Sequence, residues 1–191
     1  MQIDNSDITP KLILREHGLK QLDNISVINL FAGTGVIYDK LYTEHPCINI
    51  DKKQINRPGW IKSDNRKALK IFLQSQPEIN YFDCDAYSNP WIIANDICRL
   101  RKEGKFVIIP TCGIGRGLKN GNSNQYIRQI TNTTELSDRR LLWRWYDDII
   151  QWIINSWKRY NTTVLECKRF QNKRNSDVYY YYFLLNKSEL T

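Results

Sequence analysis

A chain of 191 residues with a formal net charge of +8 and an isoelectric point near 9.2 has the length of one domain, residues 1–191, and the charge to favour a polyanionic partner, nucleic acid first. Its 41% hydrophobic and 12% aromatic content supplies a core and excludes intrinsic disorder. No apolar run approaches the ~18 residues of a membrane span, the polar start over 1–7 predicts no signal peptide, and five cysteines without a CxxC pair, beside two histidines, argue against a metal site and for reduced thiols in a cytoplasmic protein.

Thr9-Pro10 reads as an N-cap followed by proline at the first helical position, so a helix is expected over 9–22. The apolar run over 25–31 predicts the first strand. It leads straight into Gly33-Thr34-Gly35, and a helix follows through Ile37 and Leu41. A second strand is expected over 47–50, ending on Asp51, and a third at Trp60-Ile61. A helix over 65–74, a strand over 79–83, a helix over 91–102 and a strand over 105–110 come next. The longest helix is expected over 137–160, where Leu142, Trp145, Ile149, Ile153 and Trp157 recur at gaps of three and four. Two apolar strands, 163–170 and 178–185, close the chain around the polar turn QNKRNSD. There are no repeats and no dividing linker.

Strands alternating with helices imply parallel pairing with right-handed crossovers. The closing hairpin makes one strand antiparallel to the rest. In such sheets ligands bind outside the carboxyl ends of the strands, where the strand order reverses. The glycine loop, Asp51, Asp64, Asp83 and Cys112 all fall at or just after such ends.

A strand that ends on a loop nearly bare of side chains implies a close approach to the backbone. A dinucleotide fingerprint would need a third glycine where Tyr38 stands, and a phosphate loop would need Lys-Ser or Lys-Thr after the glycines. A nucleoside ligand without pyrophosphate remains, with Asp51 placed to accept hydrogen bonds from its ribose hydroxyls.

The ordered stretches VINLFAGTG, INID, KSDNRKAL and YFDCDAYSNP resemble the motifs of class I S-adenosylmethionine-dependent methyltransferases, and the element order is similar over essentially the whole chain. The resemblance implies an α/β, single-domain Rossmann-like methyltransferase fold, with a mostly parallel seven-stranded sheet and an antiparallel strand in the C-terminal hairpin. It implies S-adenosylmethionine as cofactor. Phe31, Ala32, Gly33, Thr34 and Gly35 would cradle the amino-acid end of the cofactor and Asp51 its ribose. Asp64 would bind the adenine amino group, with Asn65 beside it. Asn29 and Asp83 complete the expected cofactor set; the family often has Asp where Asn29 stands.

FDCDAYSNP is similar to the Asp-Pro-Phe-Gly-Ser-Pro motif of tRNA guanine-N2 dimethyltransferases, and more loosely to the Asp/Asn-Pro-Pro-Tyr motif of amino-methyltransferases. Asp85, Tyr87, Ser88 and Pro90 match the first, while Ala86 replaces its proline and Asn89 intervenes. A base amine is a poor nucleophile because its lone pair is delocalised, and a carboxylate accepting an amine hydrogen localises that pair and can take the proton. Asp85 is therefore expected as proton acceptor, Asp83 as its support, and Tyr87 as a stacking surface for the base, with Trp91 as a second. Thr111-Cys112 resembles the Thr-Cys motif of RNA cytosine-5 methyltransferases, a rival reading that uses a thiolate nucleophile. Those enzymes also carry Pro-Cys after the fourth strand, where this chain has Asp85-Ala86. The long polar segment 113–134 brings Arg116, Lys119, Tyr126 and Arg128, a pattern suited to a phosphate backbone with a stacked base.

The expected activity is methyl transfer to an exocyclic base amine of nucleic acid, RNA before DNA, with a partner protein assisting target recognition. The same fold also serves small-molecule and protein methyltransferases and non-catalytic binding modules, and fold alone does not decide among these functions.

Overall fold

The computed structural model describes residues 8–53, 57–86, 90–113, 146–172 and 178–189. In chain order its elements are α1 (Thr9–Leu19), β1 (Val27–Asn29), α2 (Val36–Leu41), β2 (Cys47–Asp51), β3 (Ile61–Lys62), α3 (Asn65–Ser75) and β4 (Tyr81–Cys84). Then follow α4 (Trp91–Leu100), β5 (Gly104–Cys112), α5 (Tyr146–Ser156), a 3-10 turn (Trp157–Tyr160), β6 (Thr162–Gln171) and β7 (Tyr179–Lys187).

The strands form one seven-stranded sheet in the order β3-β2-β1-β4-β5-β7-β6. All pairs from β3 across to β5 are parallel, and β7 runs antiparallel to both β5 and β6. This is the Rossmann-like α/β architecture expected from the sequence, a mostly parallel seven-stranded sheet with an antiparallel strand in the C-terminal hairpin. The strand order reverses between β1 and β4, which lie side by side with Asn29 opposite Asp83. The crevice outside the carboxyl ends of these two strands is the switch point.

Alternation along the strands divides the core into two layers. Ile28, Phe82, Cys84, Phe106, Ile108 and Phe183 pack with α3, α4 and α5 on one face, while Val27, Tyr81, Val107, Ile109 and Tyr182 pack with α1 and α2 on the other. Helix α1 lies close to its layer: a side chain at Gly18 would meet Tyr81 and Val107 at 3.1 Å and Tyr182 at 3.2 Å. A helical glycine costs about 1 kcal/mol against alanine, and here it permits that approach. Lys187, buried in β7, donates to the carbonyls of Cys98 and Arg99 at 2.7 and 3.2 Å and so closes the last turn of α4 with a cation.

Several boundaries differ from the sequence reading. Ile8, not Thr9, precedes the first helical residue of α1, and the helix stops at Leu19. Pro10 still sits in the first turn, where its missing N–H is harmless. Strand β5 continues past Pro110 to Cys112. The proline has no N–H to give, and the ladder with β7 skips from Ile108–Phe183 to Thr111–Tyr180 before resuming. The apolar stripe of the last helix is buried at Ile149, Ile153 and Trp157, but its final turn tightens to 3-10 geometry. Leu142 and Trp145 lie outside the described residues.

Candidate functional site

The chain leaves β1 still threaded between its neighbours: Leu30 N–H donates to the Asp83 carbonyl and Ala32 N–H to that of Ile50, both at 3.0 Å. Two left-handed residues then turn it, Gly33 at φ 54° and Gly35 at φ 92°. The Asp51 carboxylate at the end of β2 pins this loop. It accepts from the Gly33 N–H at 3.0 Å and from the Lys53 N–H at 2.9 Å.

The two glycines are bare for different reasons. Beside Gly33 a side chain would meet nothing nearer than the Phe31 carbonyl at 3.9 Å, so its open face can receive a ligand. At Gly35 the approach comes from the chain itself: a side chain there would run into Arg57 Nη1 and stand 2.8 Å from Trp60 Cη2. The Arg57 guanidinium forks onto Asp39, with both hydrogen bonds at 2.8 Å, and lies 5.1 Å from the Trp60 ring. Trp60 meets Tyr38 edge-on at 6.0 Å. The bulky residue that broke the dinucleotide pattern is thus part of an aromatic roof over the loop.

Of the other expected cofactor residues, Asn29 is buried and donates to Asn49 Oδ1 at 3.0 Å. Ala32 is buried, Phe31 packs against the core and Thr34 is exposed. Asp64 caps α3 by accepting from the Arg66 and Lys67 N–H groups at 3.0 and 3.1 Å, and its second oxygen meets Lys52 at 3.0 Å. The Lys52 contact, followed by the backbone bonds of the cap, holds its carboxyl below the usual range. Asn65, next to it, is buried with an Oδ1 that has no hydrogen-bond partner.

The end of β4 holds a cluster of two carboxylates and two cations. Asp83 is 1% exposed and accepts from Arg15 Nε at 2.7 Å, Arg15 Nη2 at 2.6 Å and the Tyr42 hydroxyl at 2.7 Å. Its oxygens are engaged on the α1 face of the sheet, so Asp83 serves as the anchor of a buried ion pair. Burial opposes the charge on Arg15, but Asp83, Tyr42 and Asp85 around it raise its pKa well above the ordinary guanidinium value. Two residues on, at the rim, Asp85 accepts from Lys11 Nζ at 2.9 and 2.7 Å and stands 3.7 Å from Arg15 Nη2. Burial pushes the Asp85 carboxyl up, but Lys11 and Arg15 outweigh it and hold the group below its usual range.

Trp91 is fully buried, meeting Tyr181 at 5.2 Å and Phe183 at 6.1 Å edge-on. It is a core residue, which corrects its assignment to base stacking. Cys112 is fully buried among the apolar residues on the sheet face opposite Asp85. Burial also pushes the thiols of Cys84 and Cys98 up, and that of Cys47 to about 12, so none of the three is a thiolate at neutral pH. Tyr87, Ser88, Asn89, Arg116, Lys119, Tyr126 and Arg128 lie outside the described residues.

Sequence reasoning missed Lys11, Arg15, Arg57, Trp60 and Tyr180. One signal was present: Arg15 follows Leu14 on the face that α1 buries, and a cation on an apolar stripe implies a carboxylate partner. Three cation–aromatic pairs stand at the carboxyl rim of the sheet: Lys11–Tyr180 at 5.6 Å, Arg57–Trp60 at 5.1 Å and Arg169–Tyr179 at 5.2 Å. Among the described residues no group of three or more His, Cys, Asp or Glu side chains could hold a metal ion. None of their helices is long and apolar enough to cross a membrane.

No protein family and no curated protein matches this sequence. Among solved structures the chain is similar to a candidate hemolysin from Streptococcus thermophilus, with a TM-score of 0.58 at 10% identity over 99% of this chain and 70% of that one. A second likeness is to M. jannaschii TYW2 in complex with AdoMet, with a TM-score of 0.48 at 9% identity over 98% of this chain and 79% of that one. At 10% identity the likeness to the first of these is one of fold alone.

Proposed function

We infer that the protein is an S-adenosylmethionine-dependent methyltransferase acting on an exocyclic amine of a nucleic-acid base. The observation that carries this reading is the pairing, at one switch point, of an open glycine loop pinned by Asp51 with the rim carboxylate of Asp85. The residues fit the cofactor. Gly33 has an open face, Asp51 retains acceptor capacity beyond its two backbone bonds, and Asn65 Oδ1 is a buried acceptor without a donor, which an adenine amino group would supply. When bound, the cofactor supplies an activated methyl group.

The chain's own task is then alignment and proton handling. Asp85 accepts an N–H of the acceptor amine and concentrates its lone pair on nitrogen. A ring-conjugated amine that gains a fourth substituent is a strong acid, so even a carboxylate held below its usual range can take the proton. Cytosine-5 chemistry needs an accessible thiolate after β5, whereas Cys112 is buried in the opposite layer.

The net charge of +8 and the three cation–aromatic pairs of the rim support a nucleic-acid acceptor. Each of those cations is also paired with a carboxylate, so a phosphate backbone would compete with Asp85, Asp39 and Asp147 for them. The decisive experiment offers labelled S-adenosylmethionine with a panel of tRNA, rRNA, single-stranded DNA, free nucleosides and lysine peptides. Label on a base amine of RNA or DNA is expected. Label only on peptide or free nucleoside, or none at all, overturns the reading.

Asp51→Ala removes both the loop pin and the expected ribose acceptor. Calorimetry should show cofactor binding weakened by at least about 1 kcal/mol, the typical net worth of a single hydrogen bond. Unchanged affinity would remove Asp51 from the cofactor site.

A further inference from the structure

We propose that Lys11 is the positioning residue of the acceptor site: its ammonium bridges both oxygens of Asp85, fixes that carboxylate at the rim of the crevice, and gives way when an acceptor amine comes to the same oxygens. The proposal rests on the amine reading above.

The geometry is specific. Lys11 Nζ lies 2.9 Å from Asp85 Oδ1 and 2.7 Å from Oδ2, and both side chains are only 18% exposed. A surface lysine rarely holds one such geometry, because fixing its stem costs rotamer entropy. Here the stem is built in. The Lys11 carbonyl accepts from Arg15 Nη1 at 3.0 Å, one helical turn on, and Arg15 is itself locked to Asp83. The ammonium stands 5.6 Å from the centre of the Tyr180 ring, whose hydroxyl accepts from Asn172 Nδ2 at 2.7 Å. The chain thus places an N–H donor against Asp85 where the reaction requires one.

Two consequences follow. Without Lys11, a partly buried carboxylate would keep, among the described residues, one cation, Arg15, at 3.7 Å and would lose its bridging bonds. An acceptor amine that is already protonated has no lone pair with which to attack a methyl group, so the site serves a neutral aromatic amine over a charged lysine side chain.

Among the described residues the groups facing Asp85 are Lys11 and Arg15 from α1 and Thr111 from β5, and Arg15 is itself paired with Asp83. Because the carboxyl is held below its ordinary range in the folded protein, the stability it contributes is complete above that range. It is lost as the pH falls through the lowered folded value.

The test follows the side-chain carboxyl carbon resonance of Asp85 from neutral pH downward in the parent, Lys11→Met and Lys11→Arg proteins. Lys11→Gln serves as the neutral variant if the methionine protein does not fold. The neutral variant should titrate at higher pH than the parent, and Lys11→Arg should stay with the parent. In the transfer assay the neutral variant should lose about 10- to 100-fold in turnover, the scale of a misplaced catalytic group, with little change in KM for the cofactor and some recovery in Lys11→Arg. If the neutral variant titrates with the parent, or the arginine variant moves as far as the neutral one, the proposal is overturned. If the parent transfers no methyl to any acceptor, the functional reading falls while the resonance still decides the role of Lys11.

Discussion

Arg15→Met is expected to cost about 3–5 kcal/mol of folding stability, the range for removing one partner of a buried ion pair. Asp83 would be left buried, with only the Tyr42 hydroxyl among the described side chains to share its charge. The substitution keeps most of the volume of the side chain, so the loss reports charge rather than packing. Urea unfolding of the parent and the variant measures it. The paired change Arg15→Met with Asp83→Leu removes both charges from the same layer and should recover most of the loss, since hydrophobic replacement of a whole buried pair is often neutral or better. A cost below about 1 kcal/mol for Arg15→Met, the scale of an exposed pair, would mean that Asp83 is not committed to Arg15 and remains available for chemistry.

Asp85→Asn is expected to lower methyl transfer by roughly 100-fold or more, within the range for general-base catalysis, while leaving cofactor affinity close to that of the parent. The amide keeps the size and one acceptor oxygen but cannot carry the charge that Lys11 and Arg15 face. Under the same reading Cys112→Ala changes little, because that thiol belongs to the core. Single-turnover rates with the best acceptor from the panel measure both variants. Full activity in Asp85→Asn, or a covalent adduct at Cys112 with a 5-fluorocytosine acceptor, would sink the amine mechanism.

The two carboxylates at the end of β4 also show how sequence and structure divide the information. Asp83 and Asp85 are two residues apart, so the period of the strand, carried one residue past the end of β4, directs both to one face of the sheet. What separates them is what α1 brings to that face. Arg15 reaches Asp83 inside the layer and Lys11 reaches Asp85 at the rim, across 68 and 74 residues of sequence. Helical spacing delivers the two cations one turn apart. No local pattern could say that this helix, rather than another, covers β4.

The glycine loop shows the same division. Its two glycines and the approach they imply were legible in the sequence, because backbone with φ above zero is a local demand. That Asp51 would pin the loop, and that Arg57 and Trp60 would roof Gly35, depended on how the connection from β2 to β3 folds back.

The alternation of apolar strands and amphipathic helices by itself determined the α/β class, the parallel sheet and the reversed strand of the hairpin, because these follow from period and chirality. Tertiary structure decided which candidate residues are spent on stability and which face the crevice. Trp91 and Cys112 fill the core, Asp64 caps a helix, and Asp83 neutralises Arg15. The physical reason is that desolvation and charge pairing are set by neighbours distant in the chain, whereas secondary structure is set by neighbours along it.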